Sequence, residues 1–427
     1  MLHELSDIFD AAVAAVKPRT MLRRAMALNH SVLTIGPHKL DLERYEHLYL
    51  CGAGKAALPM AAECETLLQA RIDGGVIVSP EAEEPLHYCT YMHSTHPLPS
   101  QESIAAAEAL TARFRAAGKH DLILFLLSGG ASALIEKPLF PVTLEEMAAA
   151  TKLLLENGCT IGETNAVRKH LSMIKGGRLA RMTEATVVVL VISDVIGDDL
   201  QTIGSGPLYC DKSTYAEAAG MLREKGLMAR LPQSVRQLLE AGERGTLEET
   251  PKTPLPHVTH LLLASNRQAL DAAVERAVGA GLKVHLEHRP IRGDVAAAAE
   301  GFCRIFDALP PRALLLCGGE TTVTVRGNGR GGRNQHFALL CLQRLGNRCT
   351  YDIICAGTDG IDGNSDAAGA RIGDDLYRRC TPKEIEAALE RFDSNTFFTQ
   401  KEAVIRTGYT GTNVMDIVIA YKGEDNG

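Results

Sequence analysis

The sequence predicts an α/β protein with mainly parallel sheets, divided into two domains. Short apolar runs rich in Val, Ile and Leu alternate with Ala-rich stretches of helical periodicity through most of the 427 residues. Strands separated by helices are usually joined by right-handed crossovers into parallel sheets. The length also suits two or three domains of roughly 150 residues each. Together these observations predict a layered α/β fold.

Ten apolar runs have the length of β-strands. The most apolar, 185–192 (ATVVVLVI), has the profile of a central parallel strand covered on both faces. The other predicted strands are 47–51, 75–79, 121–127, 260–264, 283–286, 313–317, 321–326, 351–356 and 416–420. Helices are predicted from 55 to about 69 and at 143–156, 161–174, 267–280, 295–306 and 334–345. Thr143 and Glu146 form a predicted capping box.

A change of composition marks the predicted domain boundary. The segment 239–258 is polar, contains three Pro in EAGERGTLEETPKTPLPH and has no apolar periodicity. We therefore expect an N-terminal domain at 1–245 and a C-terminal domain at 255–427, with the final strand able to return to the first sheet. The first 16 residues, which carry three acidic side chains, predict an amphipathic surface helix rather than a secretory leader.

Charge and cysteine usage exclude several classes of protein. The net charge is −7 without a basic run, which argues against nucleic acid as the main partner. The 11 Cys include no CxxC pair, and several lie inside apolar runs, which favours a reducing compartment over a disulfide framework or zinc site. No apolar run approaches the ~18 residues that span a bilayer. We expect a cytoplasmic protein that is a monomer or a homodimer.

Four predicted strands end in glycine-rich polar loops. Ligands of parallel sheets bind at the carboxyl ends of the strands, and glycine lets the backbone approach a phosphate closely. The sequence has no P-loop spacing and no GxGxxG fingerprint after the first predicted strand, and any single loop is equally well explained as a tight turn. The combination of four favours a phosphate-binding edge; the loops are 52–55, 128–132, 318–322 and 357–360.

Two cationic segments strengthen this interpretation. In TNAVRKHLSMIKGGRLA, Asn165 and Arg168 share a helix face, and Lys175 lies near it. In RGNGRGGRNQ (326–335), three Arg alternate with Gly ahead of a helix. A solvated helix surface is the alternative for the first segment, and an RNA-binding RGG tract is the alternative for the second. Because the second is short and unrepeated in an acidic chain, a phosphate-binding role is favoured.

An acidic segment follows the most apolar strand. Asp194 lies at the predicted carboxyl end of that strand, a position suited to Mg²⁺ held by one or two carboxylates and phosphate oxygens. Asp198 and Asp199 have the alternative role of capping the next turn. The loop 359–366 lacks the closing Glu of a calcium-binding EF-hand loop, so we reject that assignment.

The motifs, taken in order, resemble class II glycerate kinases. GAGKA, LSGGASAL, TNAVRKHLSMIKGGRLA and SDVIGDDLQTIGSGP are similar to the N-terminal half of that family. GGETTVTVRGNGRGGRNQ and AGTDGIDGNSDAAGA are similar to its C-terminal, MOFRL-type half. The STHPLPS segment, with His96, also resembles a loop of the family. The resemblance runs from about residue 50 to residue 420 and covers both halves of the chain.

The resemblance implies two Rossmann-like α/β domains with an active-site cleft between them. It also implies a phosphotransferase with an alcohol acceptor, which uses ATP and Mg²⁺ to convert D-glycerate to 2-phosphoglycerate. The implied catalytic residues are Lys55, Arg333 and Asp194, with Asp194 also the metal ligand. The implied substrate-binding residues are Ser128, Asn165, Arg168 and Lys169. The implied nucleotide-binding residues are Gly52, Gly54, Gly129, Gly130, Gly319, Glu320, Thr321 and Asp359.

Two other functions stay open from the sequence. Members of the family have been described as hydroxypyruvate reductases using NAD(P)H, although the chain has no convincing nicotinamide-binding fingerprint. A binding module for a phosphorylated ligand would also use glycine-rich strand ends, but it would not require two cationic segments and an acidic one. One departure from the family pattern is His336, where the resemblance predicts an acidic residue after RNQ.

Overall fold

A computed structural model describes residues 2–80 and 85–425, and it confirms the α/β class. The chain forms two compact units: unit I is residues 22–263, and unit II is residues 1–21 together with 264–427. The predicted N-terminal helix is present as α1 (Leu2–Ala15), and it belongs to unit II, where it packs on a helix of the C-terminal half. The polar segment 239–258 lies within unit I.

Unit I contains a small antiparallel sheet and a six-stranded sheet. The small sheet, formed by three four-residue strands, was missed because such short runs carry too few apolar residues to show alternation. The large sheet has the order β6-β5-β4-β7-β8-β9, and the registered pairs among β4 to β8 are parallel, as predicted. The strands are β1 Met26–Asn29, β2 Val32–Ile35, β3 His38–Asp41, β4 Leu48–Ala53, β5 Val76–Ser79, β6 Thr90–His93, β7 Leu122–Leu127, β8 Thr186–Ile192 and β9 Val258–Ala264.

The helices of unit I cover this sheet and build a second apolar cluster. Every residue of β7 and all but the first of β8 are buried, which confirms the profile predicted for 185–192. The capping box at Thr143 is present, with Thr143 Oγ1 accepting from the Glu146 amide at 3.2 Å. Helix α2 (Pro18–Ala25) begins in unit II and ends in unit I. The other helices of unit I are α3 Ala57–Leu68, α4 Gln101–Ala116, α5 Ala131–Leu134, α6 Leu144–Glu156, α7 Ile161–Leu171, α8 Tyr215–Glu224 and α9 Gln233–Glu243.

Unit II contains a seven-stranded sheet of mixed direction. Its order is β10-β12-β16-β13-β14-β15, with β11 also pairing to β12. The prediction of mainly parallel strands is wrong for this sheet, because β16 runs antiparallel to both β12 and β13, and β14 runs antiparallel to β13 and β15. The strands are β10 Lys283–Leu286, β11 Ile291–Asp294, β12 Ala313–Thr322, β13 Cys349–Gly357, β14 Gly369–Gly373, β15 Val404–Ile405 and β16 Asp416–Asp425.

Two further details of unit II differ from expectation. The predicted strands 313–317 and 321–326 are one strand, β12, and residues 323–326 lie beyond its end. The last predicted strand is β16, which takes its place in the middle of the sheet of unit II. No helix in the described part of the chain combines the length and apolarity needed to cross a bilayer. The remaining helices are α10 Asn266–Gly279, α11 Val295–Asp307, α12 Arg333–Leu345, α13 Asp374–Arg378, α14 Pro382–Glu390 and α15 Ser394–Gln400.

Candidate active-site residues

In unit I, two glycine-rich loops leave neighbouring strands side by side. The last residues of β4 and β7, Ala53 and Leu127, are partners in the parallel register, so the chain continues from both at the same edge. The amide of Lys55 donates to the carbonyl of Gly129 at 2.9 Å. Ser128, which is buried, accepts a hydrogen bond from the Ala56 amide on its Oγ at 3.0 Å. The hydroxyl of Ser128 therefore joins the two loops.

The second of these loops makes unusually close contacts through its glycines. A Cβ atom on Gly129 would lie 1.7 Å from Oδ2 of Asp194, and a Cβ on Gly130 would lie 3.0 Å from the His96 ring and 3.3 Å from Cγ of Lys55. Gly130 also has a φ of +85°, which side-chain-bearing residues rarely adopt. The structure thus brings Lys55, Asp194 and the Gly129–Gly130 backbone together, as predicted, and adds His96 to them.

His96 has an altered acidity in this cluster. Partial removal of its ring from water, and then the nearby Lys55 ammonium, lower the pKa of His96 to about 4. The imidazole is therefore neutral at physiological pH, where it can donate or accept one hydrogen bond at each nitrogen but adds no charge.

Helix α7 carries two of the predicted substrate-binding residues, Asn165 and Arg168, and Arg168 contacts the same loop. Arg168 donates from Nη2 to the carbonyl of Ser132 at 3.1 Å. Asn165 is 7% exposed, and its Oδ1 has no hydrogen-bond partner within the described chain. A buried polar atom left unpaired costs about 1–3 kcal/mol, so this amide oxygen is suited to accept a hydrogen bond from a ligand hydroxyl.

A buried ion pair lies beneath this loop. The ammonium of Lys175 is 2.9 Å from Oε2 of Glu136, and both side chains are almost completely removed from solvent. Lys175 also donates to the Ser132 carbonyl at 2.8 Å, and Ser172 Oγ donates to Oε1 of Glu136 at 2.6 Å. Burial, only partly offset by Glu136, lowers the pKa of Lys175 to about 8. The pair fixes the loop and the end of α7 to each other.

Lys169, the neighbour of Arg168, is placed differently. Its Nζ is 3.2 Å from Oδ1 of Asp211, and both side chains are buried. The carboxylate of Asp211 also accepts hydrogen bonds from the hydroxyls of Thr250 and Ser213. The ammonium of Lys169 is therefore neutralised by a buried carboxylate, whereas Arg168 contacts the glycine-rich loop.

In unit II, the ends of three strands form the second cluster of predicted residues. Asp416, the first residue of β16, is the register partner of both Gly319 on β12 and Gly357 on β13. Because β16 is antiparallel to its neighbours, its amino end lies at the edge where β12 and β13 have their carboxyl ends. Oδ1 of Asp416 and Oδ1 of Asp359 both approach the point where a Cβ on Gly357 would lie, at 3.3 and 3.2 Å.

Arg333 is bound by two carboxylates at this edge. Its Nε and Nη2 donate to Oδ2 and Oδ1 of Asp416 at 2.6 and 2.9 Å, and its Nη1 is 2.6 Å from Oε1 of Glu320. Burial alone would lower the pKa of Arg333, but Asp416 and Glu320 outweigh it and raise the pKa further. The Arg333 side chain remains 29% exposed.

Helix α12, which begins at Arg333, already has an anion at its N-terminus. Asp362 accepts hydrogen bonds from the amides of Asn334 and Gln335 at 3.0 and 2.9 Å. Burial raises the pKa of Asp362 to about 6, despite the amides that stabilise its charged form. The sequence predicts phosphate binding at the end of this glycine-rich segment. In the structure these two amides donate instead to a carboxylate of the protein.

The glycine-rich segment before α12 is held from two sides. The amide of Arg330 donates to Asp393 at 2.9 Å, and the amide of Gly331 donates to Asn364 at 2.8 Å. The guanidinium of Arg330 pairs with Asp366 at 3.0 Å. Two of the three arginines in this segment, Arg330 and Arg333, are therefore paired with carboxylates.

Unit I contains two possible sets of ligands for a divalent cation. Mg²⁺ usually takes one or two carboxylates and completes its shell with phosphate oxygens and water. Asp194 in unit I meets that requirement as a single carboxylate beside a glycine loop. Within the described residues, a cluster of three metal-binding side chains occurs at Glu46, His47 and Asp121, next to the amino ends of β4 and β7 and so at the opposite edge of the sheet.

Comparison with known proteins identifies the family. A profile described as a domain of unknown function (DUF4147) matches residues 4–240, and the MOFRL family matches residues 313–416. Glycerate 2-kinase of Pyrococcus horikoshii is 34% identical over 96% of this chain and 94% of its own length. D-glycerate 2-kinase of Thermotoga maritima is 36% identical over 89% and 91%. The chain belongs to the class II glycerate kinase family.

Solved structures agree with this assignment. A crystal structure titled glycerate kinase from Thermotoga maritima superposes with a TM-score of 0.85 at 32% identity and covers 98% of this chain and 99% of its own. A protein from Pyrococcus horikoshii superposes with a TM-score of 0.83 at 33% identity and covers 99% and 98%. One relative of similar identity, 36% over 97% of this chain, is named a putative hydroxypyruvate reductase from Agrobacterium vitis.

Three residues of this class II glycerate kinase were missed from the sequence. They are Glu136, which pairs with Lys175; Asp362, which accepts from the start of α12; and Asp416, which pairs with Arg333. Each is distant in sequence from its partner. The sequence indicates Asp416 only as the start of a strand, because it gives no sign of the antiparallel direction of β16. His336, which departs from the family pattern, stacks on Phe392 with ring centroids 5.0 Å apart.

Proposed function

We propose that this protein transfers a phosphoryl group from ATP to the 2-hydroxyl of D-glycerate and produces 2-phosphoglycerate and ADP. The observation that carries the proposal is the cluster of Lys55 and Asp194 on the Gly129–Gly130 backbone, in a chain similar over nearly its whole length to proteins named glycerate 2-kinase. Phosphoryl transfer mainly requires neutralised charge and aligned oxygens. An ammonium, a carboxylate suited to Mg²⁺ and a glycine backbone supply these features.

Lys55 and Asp194 are proposed to act directly on the nucleotide. The Lys55 ammonium neutralises charge on the phosphoryl group, and the glycine backbone of residues 129 and 130 allows phosphate oxygens to approach closely. Asp194 would hold Mg²⁺, which when bound draws negative charge from the phosphate oxygens. A carboxylate that binds a cation is a weak base, so the proposal gives Asp194 an orienting role. The proton of the 2-hydroxyl passes to water as the new O–P bond forms.

Asn165 and Arg168 are proposed to bind glycerate. The unpaired Oδ1 of Asn165 accepts a hydrogen bond from a substrate hydroxyl, and the Arg168 guanidinium pairs with the substrate carboxylate. Lys169 was predicted for the same role; its ion pair with Asp211 supports instead a contribution to the placement of α7.

Arg333 is proposed as a second cation for the transferred phosphoryl group. The bidentate contact with Asp416 fixes the Nε and Nη2 edge. Nη1 contacts Glu320, which is 37% exposed, and can exchange that carboxylate for a phosphate oxygen. An arginine that contacts the transferred phosphoryl group typically raises kcat by a factor of roughly 10³–10⁵. Gly319, Thr321 and Asp359 are proposed to line the nucleotide at the same strand ends.

The test is incubation of the purified protein with ATP, Mg²⁺ and D-glycerate. We expect ADP release that depends on glycerate, and a phosphorus NMR signal of 2-phosphoglycerate. The alternative reductase activity, suggested by one relative's name, is tested by NAD(P)H oxidation with hydroxypyruvate in the absence of ATP. Reductase turnover without glycerate-dependent ADP release would overturn the proposal.

A further inference from the structure

Unit II contains a cavity with no predicted role. It is an open-sided cavity of about 230 Å³ between the 287–292 connection and helix α11. Its walls are apolar and include Ile291, Ala298, Phe302 and Ile305. Apolar walls with a few polar groups at the mouth are typical of small-molecule sites, whereas glycerate, a small hydroxy acid, has almost no apolar surface to bury there.

The polar groups that line the cavity are one carboxylate, Glu287, and two arginines, Arg289 and Arg292. Glu287 accepts the Arg289 amide at 2.9 Å, and this bond lowers the pKa of Glu287, so the carboxylate is ionised. Its side chain is only 18% exposed, whereas the Arg289 side chain is 89% exposed. A carboxylate accepts hydrogen bonds from an amino group, and a planar guanidinium stacks on flat rings. Both groups complement an amino-substituted aromatic heterocycle.

The cavity adjoins the strand end that was predicted to bind nucleotide. Ile291, the first residue of β11, pairs in register with Gly319 of β12 and also lines a smaller cavity with Glu320 and Asp416. Both cavities lie on the same face of the sheet, where Phe302 and Phe337 are in edge-to-face contact with ring centroids 5.4 Å apart. An apolar cavity is therefore next to the carboxylates that bind Arg333.

We propose that this cavity binds the purine ring of the nucleoside triphosphate, with its amino group toward Glu287. This inference rests on the proposed kinase function. Pockets for whole drug-sized ligands occupy roughly 300–1,000 Å³, so about 230 Å³ accommodates one fused ring system and leaves the ribose and phosphates outside. The base enters the apolar cavity and the phosphates extend toward Glu320 and Arg333.

Gly301 provides a test that does not weaken the fold. It lies inside α11 and lines the cavity, and a Cβ atom added there meets no other atom within 4 Å. Replacing a glycine inside a helix by leucine favours the helical conformation. The variant Gly301→Leu therefore adds side-chain volume at the cavity wall, and its Cβ atom meets no neighbouring atom. Its matched control is Gly220→Leu in α8 of unit I, where the added Cβ atom is also free of contacts.

The measurement is calorimetric binding of ADP and of inorganic tripolyphosphate to the full chain, together with the midpoint of thermal unfolding. We expect Gly301→Leu to weaken ADP binding at least tenfold, to leave tripolyphosphate binding unchanged and to keep the midpoint at or above that of the wild type. A second variant, Ala298→Leu on the same wall, should repeat the result. Gly220→Leu should bind both probes normally.

The inference and the kinase proposal fail in different ways. If both cavity variants fold and bind ADP as tightly as the wild type, or lose tripolyphosphate equally, the purine does not occupy this cavity, whatever the enzyme's activity. If the wild type releases no ADP with glycerate, the kinase proposal fails. Comparison of ADP binding between the wild type and the cavity variants still tests whether the purine ring binds in the cavity.

Discussion

The buried pair of Glu136 and Lys175 permits a quantitative prediction. At an effective dielectric constant near 20, opposite charges 2.9 Å apart attract by about 6 kcal/mol before desolvation. Removing one partner of a buried pair typically costs about 3–5 kcal/mol, because the other charge remains buried. Arg168 stays 3.9 Å from the same carboxylate and partly compensates. We therefore expect Lys175→Met to lower the free energy of unfolding by about 3 kcal/mol.

Urea-induced unfolding at pH 7 is the assay, and a double variant identifies the cause. Adding Glu136→Gln removes the unpaired charge but keeps an acceptor for Ser172, so the double variant should recover at least about 1 kcal/mol of the loss. As a control, Lys152→Met breaks an exposed pair with Glu156 and should change stability by less than about 0.5 kcal/mol. If Lys175→Met costs no more than Lys152→Met, or if the double variant is the least stable, the charge argument is wrong.

Three further predictions concern the candidate active site. Arg333→Ala should reduce kcat by roughly 10³ or more with an unchanged circular dichroism spectrum, and near-normal turnover would remove its assigned role. Lys55→Met should raise the pKa of His96, which NMR titration measures. The pKa should stay below 6.5, because desolvation of the ring lowers it more than the Lys55 charge does. An unchanged pKa would mean that the ammonium lies away from the ring. The folded pKa of His96 lies below its unfolded value, so its effect on stability is absent above pH 6.5 and becomes unfavourable as pH falls toward 4. Gly129→Ala should abolish activity, because its Cβ atom would overlap Asp194 at 1.7 Å, and retained activity would contradict that packing.

Each of these variants has a matched control. Arg304→Ala removes an arginine that is 75% exposed on α11 and should leave kcat unchanged. Lys119→Met removes an exposed cation and should leave the pKa of His96 unchanged. Gly162→Ala lies in α7, where the added Cβ atom has an ordinary 3.9 Å contact, and should keep full activity.

The sequence predicted those elements whose signal is local. Runs such as DLILFLL and ATVVVLVI became β7 and β8 because a strand buried on both faces must be apolar at every position. The cluster of Lys55, Asp194, Gly129 and Gly130 followed from the rule that the carboxyl ends of parallel strands share an edge. The short strands β1 to β3 contain too few residues for a periodic signal.

What could not be predicted depends on pairing between distant residues. Arg168 and Lys169 are consecutive, and nothing local indicates that one contacts the Ser132 carbonyl and the other a carboxylate 42 residues away. In the same way, the side chain that binds Arg333 lies 83 residues further along the chain, on a strand whose direction was not predicted. Alternation of strands and helices gives their order along the chain but not which strands become neighbours.

The position of β16 has a consequence for biosynthesis. Unit I is one continuous stretch of chain, whereas the sheet of unit II receives its middle strand only after all its other strands have been made. Translation adds about 5–20 residues per second, so several seconds pass between the synthesis of β13 and that of β16. During this time β12 and β13 have unpaired backbone groups on the sides that β16 later covers. Such open edges favour pairing with other chains. A ribosome that stalls before codon 416 would therefore release a nascent protein with one folded half and one aggregation-prone half.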